Sequence, residues 1–123
     1  MTKRILIVED DDAIRYLLAD ALQDAGFAVA TATDGLDALD QIEQHPPDAI
    51  LLDLIMPSMD GWHFLEAYRS KEDAAQIPIG LLSATPFLLK TADRFGVQVA
   101  IGKPFAIDTL LNQVELLVDP VPL

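Results

Sequence analysis

Short apolar runs and helical stripes alternate along this chain. Arg4-Ile5-Leu6-Ile7-Val8 and Ala49-Ile50-Leu51-Leu52 are nearly continuous in aliphatic residues, and Ile79-Gly80-Leu81-Leu82 is a weaker third run. Such runs suit strands covered on both faces of a parallel sheet. Phe27-Ala28-Val29-Ala30-Thr31 and Val97-Gln98-Val99-Ala100 are less uniformly apolar, which suits the edges of a sheet. Between the runs lie helical patterns. Ile14, Leu17, Leu18, Ala21, Leu22 and Ala25 fall on one face at helical spacing, as do Ile107, Leu110, Leu111, Val114, Leu117 and Val118. Leu36, Leu39 and Ile42 predict a shorter helix that stops before Pro46-Pro47. Two more helices are predicted, one from near Gly61 to about Lys71 and one between Pro86 and Phe95, the latter ended by Gly96.

The resulting order, βαβαβαβαβα, predicts an α/β fold with a parallel sheet, helices on both faces and right-handed crossovers. The three most apolar strands are the first, third and fourth. An order of 2-1-3-4-5 puts those three inside and the other two at the edges, which favours a flavodoxin-like (βα)5 doubly wound sheet. Residues 1–119 are expected to form one domain. The tail at 120–123, with Pro120 and Pro122, cannot continue the last helix and reads as an end or a linker stump.

Composition narrows the functional classes. The chain of 123 residues carries 20 acidic and 8 basic side chains, a formal net charge of -12. That field repels nucleic acid backbones and attracts metal cations and basic surfaces, so no direct nucleic acid binding is expected. With no cysteine, a disulfide framework or thiolate zinc site is excluded. Met-Thr-Lys-Arg runs into a short apolar stretch ending in four acids, unlike a signal peptide. No apolar run reaches the roughly 18 residues that span a bilayer. No membrane association is therefore expected, and the default location is cytoplasmic.

In open α/β sheets, sites form outside the carboxyl ends of the strands, at the switch point between the first and third. Here the first strand ends in Glu9-Asp10-Asp11-Asp12 and the third in Asp53. The fourth ends in Ser83-Ala84, and the fifth leads into Lys103-Pro104. Glu9, Asp10 and Asp53 brought together without a cation would repel one another. A hard divalent cation with oxygen ligands removes the conflict, and Mg2+ fits because it takes one or two carboxylates and keeps waters for a phosphate. Lys103 adds a fixed positive charge and Ser83 a hydroxyl. A carboxylate nucleophile, a metal, a lysine and a hydroxyl are the parts that phosphoryl transfer to Asp53 requires. Singly each has an ordinary explanation: Asp11 or Asp12 as a helix start, Asp53 as a turn residue, Lys103 as a surface lysine, Ser83 as a local cap. Their joint placement on four strand ends carries the case.

Ile5-Leu-Ile-Val-Glu-Asp-Asp-Asp12, Asp53-Leu-Ile-Met-Pro-Ser-Met-Asp-Gly61, Ser83-Ala84 and Lys103-Pro104-Phe105 together resemble the receiver domain of two-component response regulators, over essentially the whole chain. The resemblance implies that Asp53 accepts a phosphoryl group from a sensor histidine kinase or phosphotransfer protein. It implies that Glu9, Asp10, Asp53 and the backbone carbonyl of Ile55 hold Mg2+, and that Ser83 and Lys103 contact the phosphoryl oxygens. It further implies a cis Lys103-Pro104 peptide, an unspecified downstream protein partner, and allows a homodimer. The domain would be a phosphoacceptor supporting its own phosphoryl transfer and dephosphorylation, not an enzyme acting on a separate substrate.

The chain departs from the family at Ala100, where Tyr or Phe is usual, and at Gly102, where a small hydroxylated residue is common. The interval from Ser83 to Lys103 is slightly short and contains Pro86, which should disturb the start of the fourth helix. Leu88, Ala92 and Phe95 can face the core together, leaving Phe87 or Leu89 exposed. Trp62 is expected to pack partly at the surface, and His45 and His63 lack partners at metal-ligand spacing. Three other functions compete. A haloacid dehalogenase-like phosphatase would carry a second Asp where Ile55 stands. A flavin carrier needs a Ser/Thr/Gly-rich loop after the first strand, which here is acidic. A receiver-like interaction module or phosphate relay with an atypical output face is kept open by Ala100.

Overall fold

Each apolar run contributes a strand: β1 (Arg4–Val8), β2 (Ala28–Ala32), β3 (Ala49–Asp53), β4 (Ile79–Ser83) and β5 (Val99–Gly102). Helices follow them in turn: α1 (Asp12–Asp24), α2 (Gly35–Gln44), α3 (Gly61–Arg69), α4 (Leu88–Phe95) and α5 (Ile107–Val118). The computed structural model describes residues 2–56, 59–70, 77–97 and 99–119. The expected helical residue Lys71, Gln98 of the fifth run, Pro57 of the acceptor motif and the 120–123 tail lie outside them. Among the described residues the strands form one parallel sheet in the order β2-β1-β3-β4-β5, the flavodoxin-like arrangement.

The two less apolar runs take the edges, but both strands start later than their runs. The Phe27 N–H donates to Leu22 O at 3.0 Å, and the Val97 N–H donates to Ala92 O at 2.8 Å. Each of these amides is still closing the preceding helix, so it is not available to a strand.

Alternation along the central strands splits the core in two. Leu6, Val8, Ile50, Leu52 and Leu81 pack under α2, α3 and α4 against Ala38, Phe64, Leu65, Tyr68, Leu88 and Ala92. Ile5, Ile7, Leu51, Leu82 and Ile101 pack under α1 and α5 against Leu18, Leu22, Leu110, Val114 and Leu117. β3 and β4 are buried at every position, as strands covered on both faces should be. α1 is rotated from the expected face: Leu17 is exposed, and Arg15 is buried with Leu18 and Leu22.

Helix starts place the loops. Asp11, Asp34 and Asp60 cap α1, α2 and α3 by accepting from the backbone N–H of Ile14, Asp37 and His63. α4 begins at Leu88, after Pro86, with no side-chain cap at Phe87. Gly61 is required where α3 begins. Its N–H donates to Leu54 O at 2.9 Å. A Cβ there would lie 2.6 Å from Leu54 Cα and 2.7 Å from Asp53 O, both backbone atoms. Gly61→Ala is expected to lower stability by about 2 kcal/mol, because the end of β3 must move to make room. A urea titration checks it, and an unchanged midpoint contradicts the close approach.

Candidate functional site

The carboxyl ends of β1, β3, β4 and β5 bring the expected residues together. Glu9 follows β1, Asp53 and Ser83 are the last residues of β3 and β4, and Lys103 follows β5. Glu9, Asp53 and Ser83 are buried, whereas Asp10 is exposed. Carboxylate oxygens of Glu9, Asp10 and Asp53 all lie within 4.8 Å of one another. The Lys103 ammonium donates to Glu9 Oε1 and, at 3.2 Å, to Asp53 Oδ2. Asp53 Oδ1 accepts from the Ile55 N–H at 3.2 Å, so the exposed Ile55 follows the aspartate in a tight turn. Lys103-Pro104 is cis, as expected.

Burial dominates the electrostatics. The Glu9 carboxyl is pushed up to about 7 by burial first and by the adjoining Asp53 carboxylate second. Lys103 pulls it the other way without offsetting the burial. For Lys103 itself, burial disfavours the ammonium, but the Glu9 hydrogen bond and the charge of Asp53 outweigh it and leave the lysine above its ordinary value. Glu9 Oε2 is buried with no hydrogen-bond partner. A buried acceptor without a donor, on a residue clustered with two further carboxylates, is what a divalent cation with oxygen ligands satisfies. The acidic group thus fits Mg2+.

The Ser83 carbonyl accepts from the Lys103 N–H at 3.0 Å, but the two side chains have different partners. Ser83 Oγ accepts from the Thr85 N–H at 3.4 Å, and Thr85 Oγ1 accepts from the Phe87 N–H at 3.3 Å. These bonds lead from β4 to the start of α4. Three polar contacts then tie α4 to α3: Trp62 Nε1 to Thr91 Oγ1 at 2.8 Å, Arg69 to Phe95 O at 2.7 Å, and Arg94 to Glu66 at 3.1 Å. Trp62 is half-buried through the first, and both Phe87 and Leu89 are exposed. His63 sits on the Asp60 cap at 2.9 Å.

One buried charged residue escaped sequence reasoning. Arg15 donates to Glu9 O at 3.0 Å, to Asp10 O at 3.3 Å and to Asp12 Oδ1. The apolar stripe gave no signal for it, since Arg15 stands between Ile14 and Leu17 and reads as a surface residue. Its position three residues after Asp12, at an i,i+3 spacing, was the available hint.

Comparison with known proteins agrees with this geometry. The profile of the response regulator receiver domain matches residues 5–115. Response regulator MprA of Mycobacterium bovis is 37% identical over 119 residues, which cover 95% of this chain and 51% of that protein. The chain spans about half the length of the curated relatives it matches. Among solved structures, chemotaxis protein CheY4 of Vibrio cholerae superposes with a TM-score of 0.86 at 32% identity, covering 95% of this chain and 99% of that one. The signal receiver domain of a signal transduction histidine kinase from Syntrophus aciditrophicus gives 0.87 at 28% identity, covering 98% and 92%. No helix among the described residues is long and apolar enough to cross a membrane.

Proposed function

Because this chain belongs to the response regulator receiver domain family, we propose that Asp53 accepts a phosphoryl group from the phosphohistidine of a sensor histidine kinase or phosphotransfer protein. The observation that carries this reading is a buried carboxylate at the end of the central strand β3, bonded to a lysine and set among two more carboxylates. An Asp53 carboxylate oxygen attacks phosphorus in line. The new O–P bond forms as the P–N bond breaks, and the electron pair leaves with the imidazole nitrogen. Lys103 lies on the Asp53 carboxylate and neutralises charge on the transferred oxygens. Ser83, on the neighbouring strand, donates its hydroxyl to one of them. Glu9, Asp10, Asp53 and the Ile55 carbonyl would hold Mg2+, which when bound neutralises phosphoryl oxygens. Incubation with acetyl phosphate and Mg2+, read by intact mass, tests the reading. Gain of one phosphoryl group supports it, and an unchanged mass overturns it.

How the phosphorylated state is read out has two versions, because Ala100 places no aromatic ring on β5. In the first, Ser83 turns toward the phosphoryl group, the contacts through Thr85 to Phe87 rearrange, and α4 shifts with its ties to α3. In the second, change stays in the loops and the chain serves as a relay or sink. A ligand shifts an equilibrium only through differential contacts in two states, so the first version needs α4 to be bistable. The uncapped start of α4 and the exposed Phe87 and Leu89 favour it. Hydrogen exchange with beryllofluoride is expected to change protection across 86–95. Changes confined to 54–60 and 83–85 would leave the relay reading standing instead.

A further inference from the structure

We propose that Arg15 is a positioning residue that holds the backbone of Glu9 and Asp10 in the one arrangement that lets both carboxylates serve a single cation. The inference rests on reading the acidic cluster as a divalent-cation site. In a strand, successive side chains point to opposite faces. Glu9 and Asp10 are successive, yet both deliver a carboxylate oxygen to the same cluster with Asp53. The alternation must therefore break after β1. Glu9 still belongs to the ladder, since its N–H donates to Ala32 O at 3.1 Å. The break falls between that bond and the start of α1 at Asp12. The carbonyls of the two residues concerned, Glu9 and Asp10, both accept from Arg15 Nη1, at 3.0 and 3.3 Å. One guanidinium nitrogen thus spans the turn.

The placement is otherwise unfavourable. Arg15 stands in the first turn and a half of α1, where its N–H makes an early helical bond to Asp11 O at 2.9 Å. Helical side chains lean toward the N-terminus, so its charge lies at the positive end of the helix dipole, where cations are disfavoured. It is also buried. A lysine or an apolar residue would avoid either the fork or the charge. The two carbonyls and Asp12 Oδ1 offset the penalty, and only a planar fork with several donors reaches all three at once. Hydrogen bonds that orient ligands in this way commonly change metal affinity by about 10–100-fold when lost.

Two variants test this. Arg15→Met removes every donor, and Arg15→Lys keeps the charge while losing the fork, so it carries the test if Arg15→Met does not fold. Calorimetric titration with MgCl2, with no phosphodonor present, is expected to show at least about tenfold weaker binding in each folded variant. In metal-free protein, the amides of residues 10–12 are expected to exchange faster than in the parent. A folded variant with parent-like Mg2+ affinity overturns the proposal, as does unchanged exchange at 10–12. If the parent itself binds no Mg2+, the cation-site reading fails on its own, and the metal-free exchange alone then decides whether Arg15 holds the turn.

Discussion

Asp53→Asn protein gains no phosphoryl mass from acetyl phosphate and Mg2+ under conditions in which the parent chain gains one group. The expected loss is complete because no other carboxylate in the cluster has the same position. Glu9 is buried and bonded to Lys103, and with Mg2+ present its carboxylate is committed to the cation, so it is not free to attack phosphorus. Asp10 shares the cluster but is exposed, at the start of the loop into α1. Asp53 ends the central strand and lies at 3.2 Å from the lysine that would neutralise the transferred oxygens. Asparagine keeps the shape and an acceptor for Lys103 while removing the anionic oxygen that attacks. It also removes one of three clustered like charges, so the variant should melt no lower than the parent. Labelling of a folded Asp53→Asn protein at parent stoichiometry would transfer the role to another residue.

The second large effect concerns pH. In metal-free protein the Glu9 carboxyl lies near 7 rather than its ordinary 4.5. The folded state therefore binds more protons than the unfolded chain between those values, and stability falls as pH rises through that window. Protonated Glu9 is accommodated fully below about 4.5, and the penalty for burying its charge is fully present above about 7. At about 1.4 kcal/mol per unit, the loss across this window is about 3 kcal/mol. Glu9→Gln cannot ionise and keeps an oxygen for Lys103. The difference in unfolding free energy between Glu9→Gln and the parent, measured with chelator present, should grow by that amount from pH 4.5 to pH 7.5. A constant difference across the range contradicts the raised carboxyl. Saturating MgCl2 should shrink the effect, because a cation favours the ionised form.

Much of this arrangement was legible in the residues. Alternation of apolar runs with helical stripes determined the element order, and the relative apolarity of the five runs determined which strands lie inside. That works because a strand covered on both faces has no polar positions, while an edge strand can keep some. The four strand-end groups, Glu9 with Asp10, Asp53, Ser83 and Lys103, were likewise readable once a parallel sheet was assumed. In such a sheet all carboxyl ends point the same way, so residues far apart in sequence share one rim.

The tertiary structure decided the rest, and for a common reason: the competing partners are not neighbours in sequence. Phe27 and Val97 look like strand residues by composition, but their amides close α1 and α4. Leu17 fits the helical stripe, yet α1 turns Arg15 inward because the carbonyls of Glu9 and Asp10 are there to receive it. Trp62, Glu66 and Arg69 show no sequence sign of meeting Thr91, Arg94 and Phe95, since only packing brings α3 beside α4. Apolar period records which face a residue prefers. It carries no record of which distant hydrogen-bonding group will be waiting there, and that choice sets the turn of the acidic loop, the burial of Glu9 and the ties of α4.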